Sequence, residues 1–142
     1  MAQFAAKTKV PVDQTRNEIE RTLIKYGASK FAYFSEDGRA IIIFEAEDRR
    51  LRFDLPLPAG DSDKIAQSRR QKWRALLLAI KSKLESVESG IETFEEAFLA
   101  HVVMPDGITV GQHARPGIES AYKEERMVPL LPGPKVQQGE RR

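Results

Sequence analysis

The sequence predicts an α+β single domain, a three-stranded antiparallel meander in α-β-β-β-α order with a C-terminal helical and hairpin extension. Three observations carry that class. From Ser68 to Val87, the residues Trp73, Leu76, Leu77, Ile80, Leu84 and Val87 recur at helical spacing. At roughly 100° per residue they share about a third of the circumference, the stripe of a helix packed on a core. Between Phe31 and Leu55 the spacing changes to that of strands: an aromatic run, an Asp37-Gly38 turn, an apolar run, and then an alternation. A second helical pattern, Ile19, Leu23 and Tyr26, precedes the strands.

In chain order, residues 1–12 read as a flexible arm carrying Lys7 and Lys9, and the domain spans 13–126. Asp13 is the expected N-cap of the first helix, and Gly27 is placed to end it. Phe31 to Phe34 forms the first strand and Ala40 to Phe44 the second. Because the second is apolar at consecutive positions, it predicts a central strand covered on both faces. Helices on one side alone would leave the other face bare, so the sequence predicts a homo-oligomer. Arg50, Arg52 and Asp54 alternate with Leu51, Phe53 and Leu55, a strand with one wet and one buried face, and Pro56 and Pro58 end it. The long helix then starts between Asp63 and Ser68.

Beyond the Ser89-Gly90 break, Thr93 and Glu96 match a capping box for a short acidic helix reaching about His101. Val102 to Met104 and Ile108 to Val110 flank Pro105-Asp106-Gly107 as a small hairpin. A last helix is expected from Pro116 to Glu125, with Pro116 in its first position and Ile118, Ala121 and Tyr122 facing inward. The tail, 127–142, is too rich in proline for regular structure. Its first part carries Met127, Val128, Leu130 and Leu131, and its polar second part reads as disordered.

At 142 residues the chain can bury a core without staples, and it has no cysteine for a disulfide, a thiolate metal site or a thiol nucleophile. No apolar run approaches the roughly 20 residues that span a bilayer, and the N-terminal apolar segment is too short for a signal peptide. The expectation is a soluble, intracellular protein with no membrane partner. Net charge is only +2, yet it is unevenly spread. Residues 49–83 carry ten Lys or Arg against three Asp, a net of +7, and residues 84–106 carry six acidic and no basic residues. Such polarity steers an anionic partner to one surface, or else the two blocks neutralise each other within the fold or between subunits.

The basic block is the leading candidate site. Arg69, Arg70, Lys72 and Arg74 lie toward the start of the long helix, where cations and free N–H groups together hold phosphates. Arg50 and Arg52 share the wet face of the third strand and extend the same nucleic-acid surface. The alternative is a solvated helix whose cationic stems cover the apolar seam. Trp73 lies in that seam and reads as a core anchor. A second candidate is a protein-binding segment at Met127, Val128, Leu130 and Leu131, able to dock in a groove of another protein.

Catalytic and metal signals are weak. His101 and His113 are the only histidines, with no HExxH or paired spacing. Glu92, Glu95 and Glu96 could hold a divalent metal with His101, but carboxylates in a first turn are also what the helix dipole favours. No phosphate-cradling glycine loop is present. No cofactor, metal or catalytic residue is expected, and the chain is read as non-enzymatic.

Two resemblances add context. The order of elements over residues 13–86 resembles the double-stranded-RNA-binding domain, in which the start of the second helix meets phosphates. Ser35-Glu36-Asp37-Gly38 stands where that family has a glycine-proline-histidine loop. The same order is similar to the core of phage single-strand annealing proteins. More extensively, VDQTRNEIERTLIKYGA, RRLRFDLPLP, RQKWRALLLAIKSKLESVESGIETFEEAFLAHVVMPDGITVGQ and RMVPLLPG resemble a widespread uncharacterised family of small bacteriophage, prophage and mobile-element proteins. That resemblance implies an accessory protein in the cytoplasm of a bacterial host cell that acts on nucleic acid or on a host or phage protein, and it carries no catalytic residues.

Overall fold

The structure, a computed structural model, describes residues 5–133. Its elements are α1 (Val12–Ile24), β1 (Ser29–Glu36), β2 (Arg39–Ala46), β3 (Arg49–Pro56), α2 (Asp63–Glu88), α3 (Phe94–Ala97), a 3-10 turn at Leu99–His101, and α4 (Val110–Glu124). The α+β class and the helix, three strands, helix order are those the sequence predicts.

Two-residue turns build the antiparallel sheet β1-β2-β3. In the first, Gly38 takes φ +100, a conformation open to glycine. The second turn gave no Gly signal in the sequence. Glu47 and Asp48 occupy it at φ 52 and 59, with Ala46 paired to Arg49 across it. Two successive left-handed residues match the right-handed twist of the strands, and the position prefers Asn-Gly because a Cβ is strained there. Replacing Asp48 with Gly is therefore expected to raise stability by about 1 kcal/mol, seen as a melting temperature higher by a few degrees. An unchanged or lower melting temperature would remove the strain argument.

Strand β2 sets the core. Ala40, Ile42, Phe44 and Ala46 point inward to Leu51 and Phe53 of β3, to Ile19 and Leu23 of α1, and to Trp73, Leu77, Ile80 and Leu84 of α2. The Phe44 ring stacks between Phe31 and Phe53, at 5.8 and 6.4 Å. Within one chain only one face of β2 is fully covered, and the other is the partly bare face from which a homo-oligomer is expected. Ile41 and Ile43 are only half-buried, and Phe34, paired with Ile41, is 57% exposed. Both long helices lie on the other face, so the unbroken apolar run reflects strand-forming side chains on a partly open surface as well as burial.

Helices α1 and α2 run parallel. Thr15 and Glu18, early in α1, meet Arg74, and Tyr26, just beyond its end, bonds Glu88 at the end of α2. α1 starts one residue before the expected cap. Pro11 at φ −60 leads straight into Val12 with no side-chain cap, while Asp13 sits in the first turn and pairs with Arg16. Gly27 ends the helix as expected: at φ +88 its N–H donates to Ile24 O, and the Ala28 N–H donates to Leu23 O. α2 begins at the early limit of its expected range, where Ser62 Oγ accepts from the Ile65 N–H.

The expected flexible arm is anchored from Ala5 onward. Ala5 is buried, and Gln67 Nε2 donates to the carbonyls of Thr8 and Ala6 at 2.7 and 3.3 Å. Residues 1–4 lie outside the described residues.

After α2, the Thr93–Glu96 capping box and the hairpin closed by the Met104 N–H on Ile108 O match expectation. The last helix does not. It starts six residues early, because Thr109 and Gln112 form a second capping box, and Pro116 lies inside the helix. That box was legible as Thr-x-x-Gln, but Pro116 drew the boundary to itself. Ile118 and Tyr122, expected inward, are exposed, and α4 has no buried residue. The chain then turns back, setting Leu130 against Gly117. Residues 127–133 are irregular, as expected, whereas the expected disorder beyond Gly133 lies outside the described residues. Among the described residues, no helix is long and apolar enough to cross a membrane.

Candidate interaction surfaces

The six cations proposed for phosphate do not share a surface. In-register pairing of Arg52 with Ile43 and of Arg50 with Glu45 puts both arginines on the sheet face turned away from α2. Each is engaged there. Arg50 Nη2 pairs with Glu45 at 3.0 Å, and Arg52 donates to Gly107 O at 2.8 Å and Gln112 Oε1 at 2.6 Å, binding the extension to the sheet. The expectation that these two extend the α2 surface is therefore corrected. Alternation in the strand was right, but the helix packs on the opposite face.

The four α2 cations stand two to three turns inside the helix, since it begins at Asp63. The dipole acts mainly in the first turn, so it adds nothing to them. Arg69 donates to Pro58 O and lies 3.8 Å from Asp37, and Arg70 bonds Gln67. Arg74 Nη1 holds Glu18 at 2.8 Å, and this hydrogen bond keeps the Glu18 carboxyl below the usual range, with Lys81 and Arg21 adding their charge. Lys72 is exposed and makes no hydrogen bond or ion pair with a described residue. On the parallel helix pair, Arg74 and Lys81 of the basic block and Arg21 of α1 all act on the Glu18 carboxylate.

The acidic cluster is dispersed too. Glu92 accepts from the Ser86 hydroxyl, Glu95 pairs with Arg49 at 2.5 Å, and Glu96 closes the capping box. Among the described residues, no three His, Asp or Glu side chains gather to hold a metal. His101 stacks on Phe53 at 3.9 Å, with Nδ1 3.3 Å from Arg52 O. Burial there pushes its pKa down, so the fold holds it neutral. The unfolded chain takes up the proton near pH 6.5, hence stability is full above that pH and falls as the pH drops toward the folded value. Denaturant midpoints should fall between pH 7 and pH 5, and His101→Phe should flatten that fall. An equal fall in both proteins would assign it elsewhere.

One pairing escaped the sequence reading. His113 Nε2 lies 2.7 Å from Asp106 Oδ2, joining α4 to the hairpin turn. The Ile108 N–H and the neighbouring His113 hold the Asp106 carboxyl below its ordinary range. Met104, Pro105, Leu131, Pro132 and Gly133 enclose the pair in a cleft of about 410 Å³. Asp at i and His at i+7 across a Gly turn was the available signal, but only the early start of α4 turns the imidazole toward the carboxylate.

The proposed protein-binding segment is continuous with α4. Met127 is 87% exposed and Tyr122 84%; Ile118, Leu130 and Leu131 are exposed less, and Val128 is half-buried. The Gly117–Leu130 contact lays the segment back along the helix, and Leu131 reaches the cleft that holds His113 and Asp106. Comparison of the chain with protein-family models, with curated proteins and with solved structures finds no match.

Proposed function

We propose that this chain is a non-enzymatic protein-binding module, a phage or mobile-element accessory protein that inhibits or recruits a host or phage protein through α4 and the segment from Met127 to Leu131. One observation carries the reading: a 15-residue amphipathic helix with no buried residue, displaying Ile118 and Tyr122 and followed within three residues by the exposed Met127. A helix gains most of its stability by burying its apolar face, and this one, although it packs its glycines against Ala100 and Leu130, keeps Ile118 and Tyr122 exposed for another molecule. Exposed aromatic and methionine side chains are typical anchors of such contacts.

Capture from host lysate with full-length wild type and with Tyr122→Asp/Met127→Asp tests it. A partner held by the wild type and lost from a variant of unchanged melting temperature supports the reading. Equal capture by both sinks it.

A second reading, nucleic-acid binding, is favoured by the cations acting on Glu18 and by the exposed Lys72, which bonds no described residue. It moves the contact from Arg50 and Arg52 to the helix pair. Affinity for single-stranded DNA, duplex DNA and duplex RNA should then fall steeply with salt and weaken in Lys72→Glu. No binding at low salt would eliminate it.

A further inference from the structure

We propose that the open edge of β1 pairs with β1 of a second copy, joining two meanders into one six-stranded antiparallel sheet. The two edges of the sheet are treated differently. Beyond β3, Val102 bridges Leu51, the Val103 N–H donates to Arg50 O at 2.8 Å, and His101 Nδ1 sits on Arg52 O. Beyond β1 there is no such cover: among the described residues, no backbone group from Ser29 to Glu36 bonds anything outside the sheet. A row of free N–H and C=O groups is a template for another strand.

The side chains choose the occupant. Ala32 and Phe34 share the outer face with Ile43 and Ile41, their partners on β2, and Phe34 is more than half exposed. An antiparallel twofold about Tyr33 sets Ala32 against Phe34 of the second copy, keeping outer face with outer face. Just beyond each end of this ladder, the long side chain of Lys30, carried on the bulge, comes within reach of Glu36 of the second copy. Sliding by one pair sets Lys30 opposite Phe34, or Glu36 opposite Ala32, and loses the charge match. So the strand is complementary to itself in one register. Lys30 and Glu36 now hold Glu45 and Arg39 in exposed pairs, which cost little to rearrange. The bulge between Ser29 and Ala32, with Lys30 at φ 57, ends the regular ladder there, so the Lys30–Glu36 pairs close the seam at its two ends and lie outside the ladder. This surface is separate from α4 and stands whether or not the functional reading does.

The test uses the full chain and charge reversal. Sedimentation velocity over a concentration series should show a monomer–dimer equilibrium for the wild type. Lys30→Glu and Glu36→Lys should each weaken dimerisation at least tenfold, since each meets a like charge. Mixing the two variants restores both opposite-charge pairs and should restore the dimer, with melting curves confirming that each variant is folded. Because the chain has no cysteine, Tyr33→Cys should also form an intermolecular disulfide on mild oxidation, faster than Ala32→Cys or Phe34→Cys. A wild type that stays monomeric, variants that dimerise as well as the wild type, a mixture that does not recover, or fastest cross-linking at position 32 or 34 would each overturn the proposal.

Discussion

Phe44→Ala is expected to destabilise the fold by about 3–5 kcal/mol, the range for deleting a buried aromatic ring. Phe44 is fully buried on the central strand, and its ring is the middle of a stack with Phe31 and Phe53. The stack continues edge-on from Phe53 to Phe98, which itself stacks on Phe94 at 4.5 Å. Removing the middle ring opens a cavity that touches all three strands, so no single element can move to fill it. An ordinary domain has about 5–15 kcal/mol in total, and the loss takes a large share of it. Urea unfolding should show a much lower midpoint with an unchanged slope. Phe34→Ala, on the exposed face of the same sheet, should shift it by no more than about 0.5 kcal/mol. Similar costs at the two positions would contradict the placement of the core.

Gly111→Val should release α4 while leaving the core folded. A Cβ at Gly111 would lie 2.9 Å from the carbonyl oxygen of Ala100 and 3.2 Å from its Cβ, and neither is the movable end of a long side chain. The helix has no buried residue to compensate. Its other ties to the domain include the Val110 N–H on Val102 O, Arg52 on Gln112 and Asp106 on His113. In an isolated helix the exchange would be mildly favourable, because glycine is a poorer helix former than valine, by a few tenths of a kcal/mol. The clash predicts the opposite. Amide exchange should speed up across residues 110–124 and stay slow in α2 and β2. Uniform protection in the variant would mean that the close approach is not what holds α4.

Where apolar spacing is strong, the sequence was a good guide. The six-residue stripe of the long helix, the alternation of β3 and the Thr93–Glu96 box are each local patterns with one dominant solution, and the structure contains all three. Failures came where a residue's partner lies far along the chain. Arg50, Arg52, Arg69 and Arg74 looked like one surface because sequence position carries no information about which face of the sheet a helix covers. Arg52 and Arg74 also found partners far along the chain, Gly107 lying 55 residues from Arg52 and Glu18 56 residues from Arg74, whereas Arg50 pairs with Glu45 only five residues away across the hairpin. Pro116 misled for a different reason. Proline opens helices more often than it sits inside them, but the Thr109–Gln112 box had already nucleated the helix upstream.

The parallel pairing of α1 with α2 constrains how the chain is assembled. Tyr26 and Glu88 meet across 62 residues, Gln67 reaches Ala6 across 61, and Arg74 reaches Thr15 across 59. The meander can close locally through its two short turns. Ile19 and Leu23, however, cannot find the α2 side of their core until the chain has been made through the end of that helix. At about 5–20 residues per second, α1 waits for several seconds with an apolar stripe open to the cell. A chaperone that grips short apolar helices would meet this protein on the ribosome, and slowing translation between β3 and α2 would lengthen its exposure.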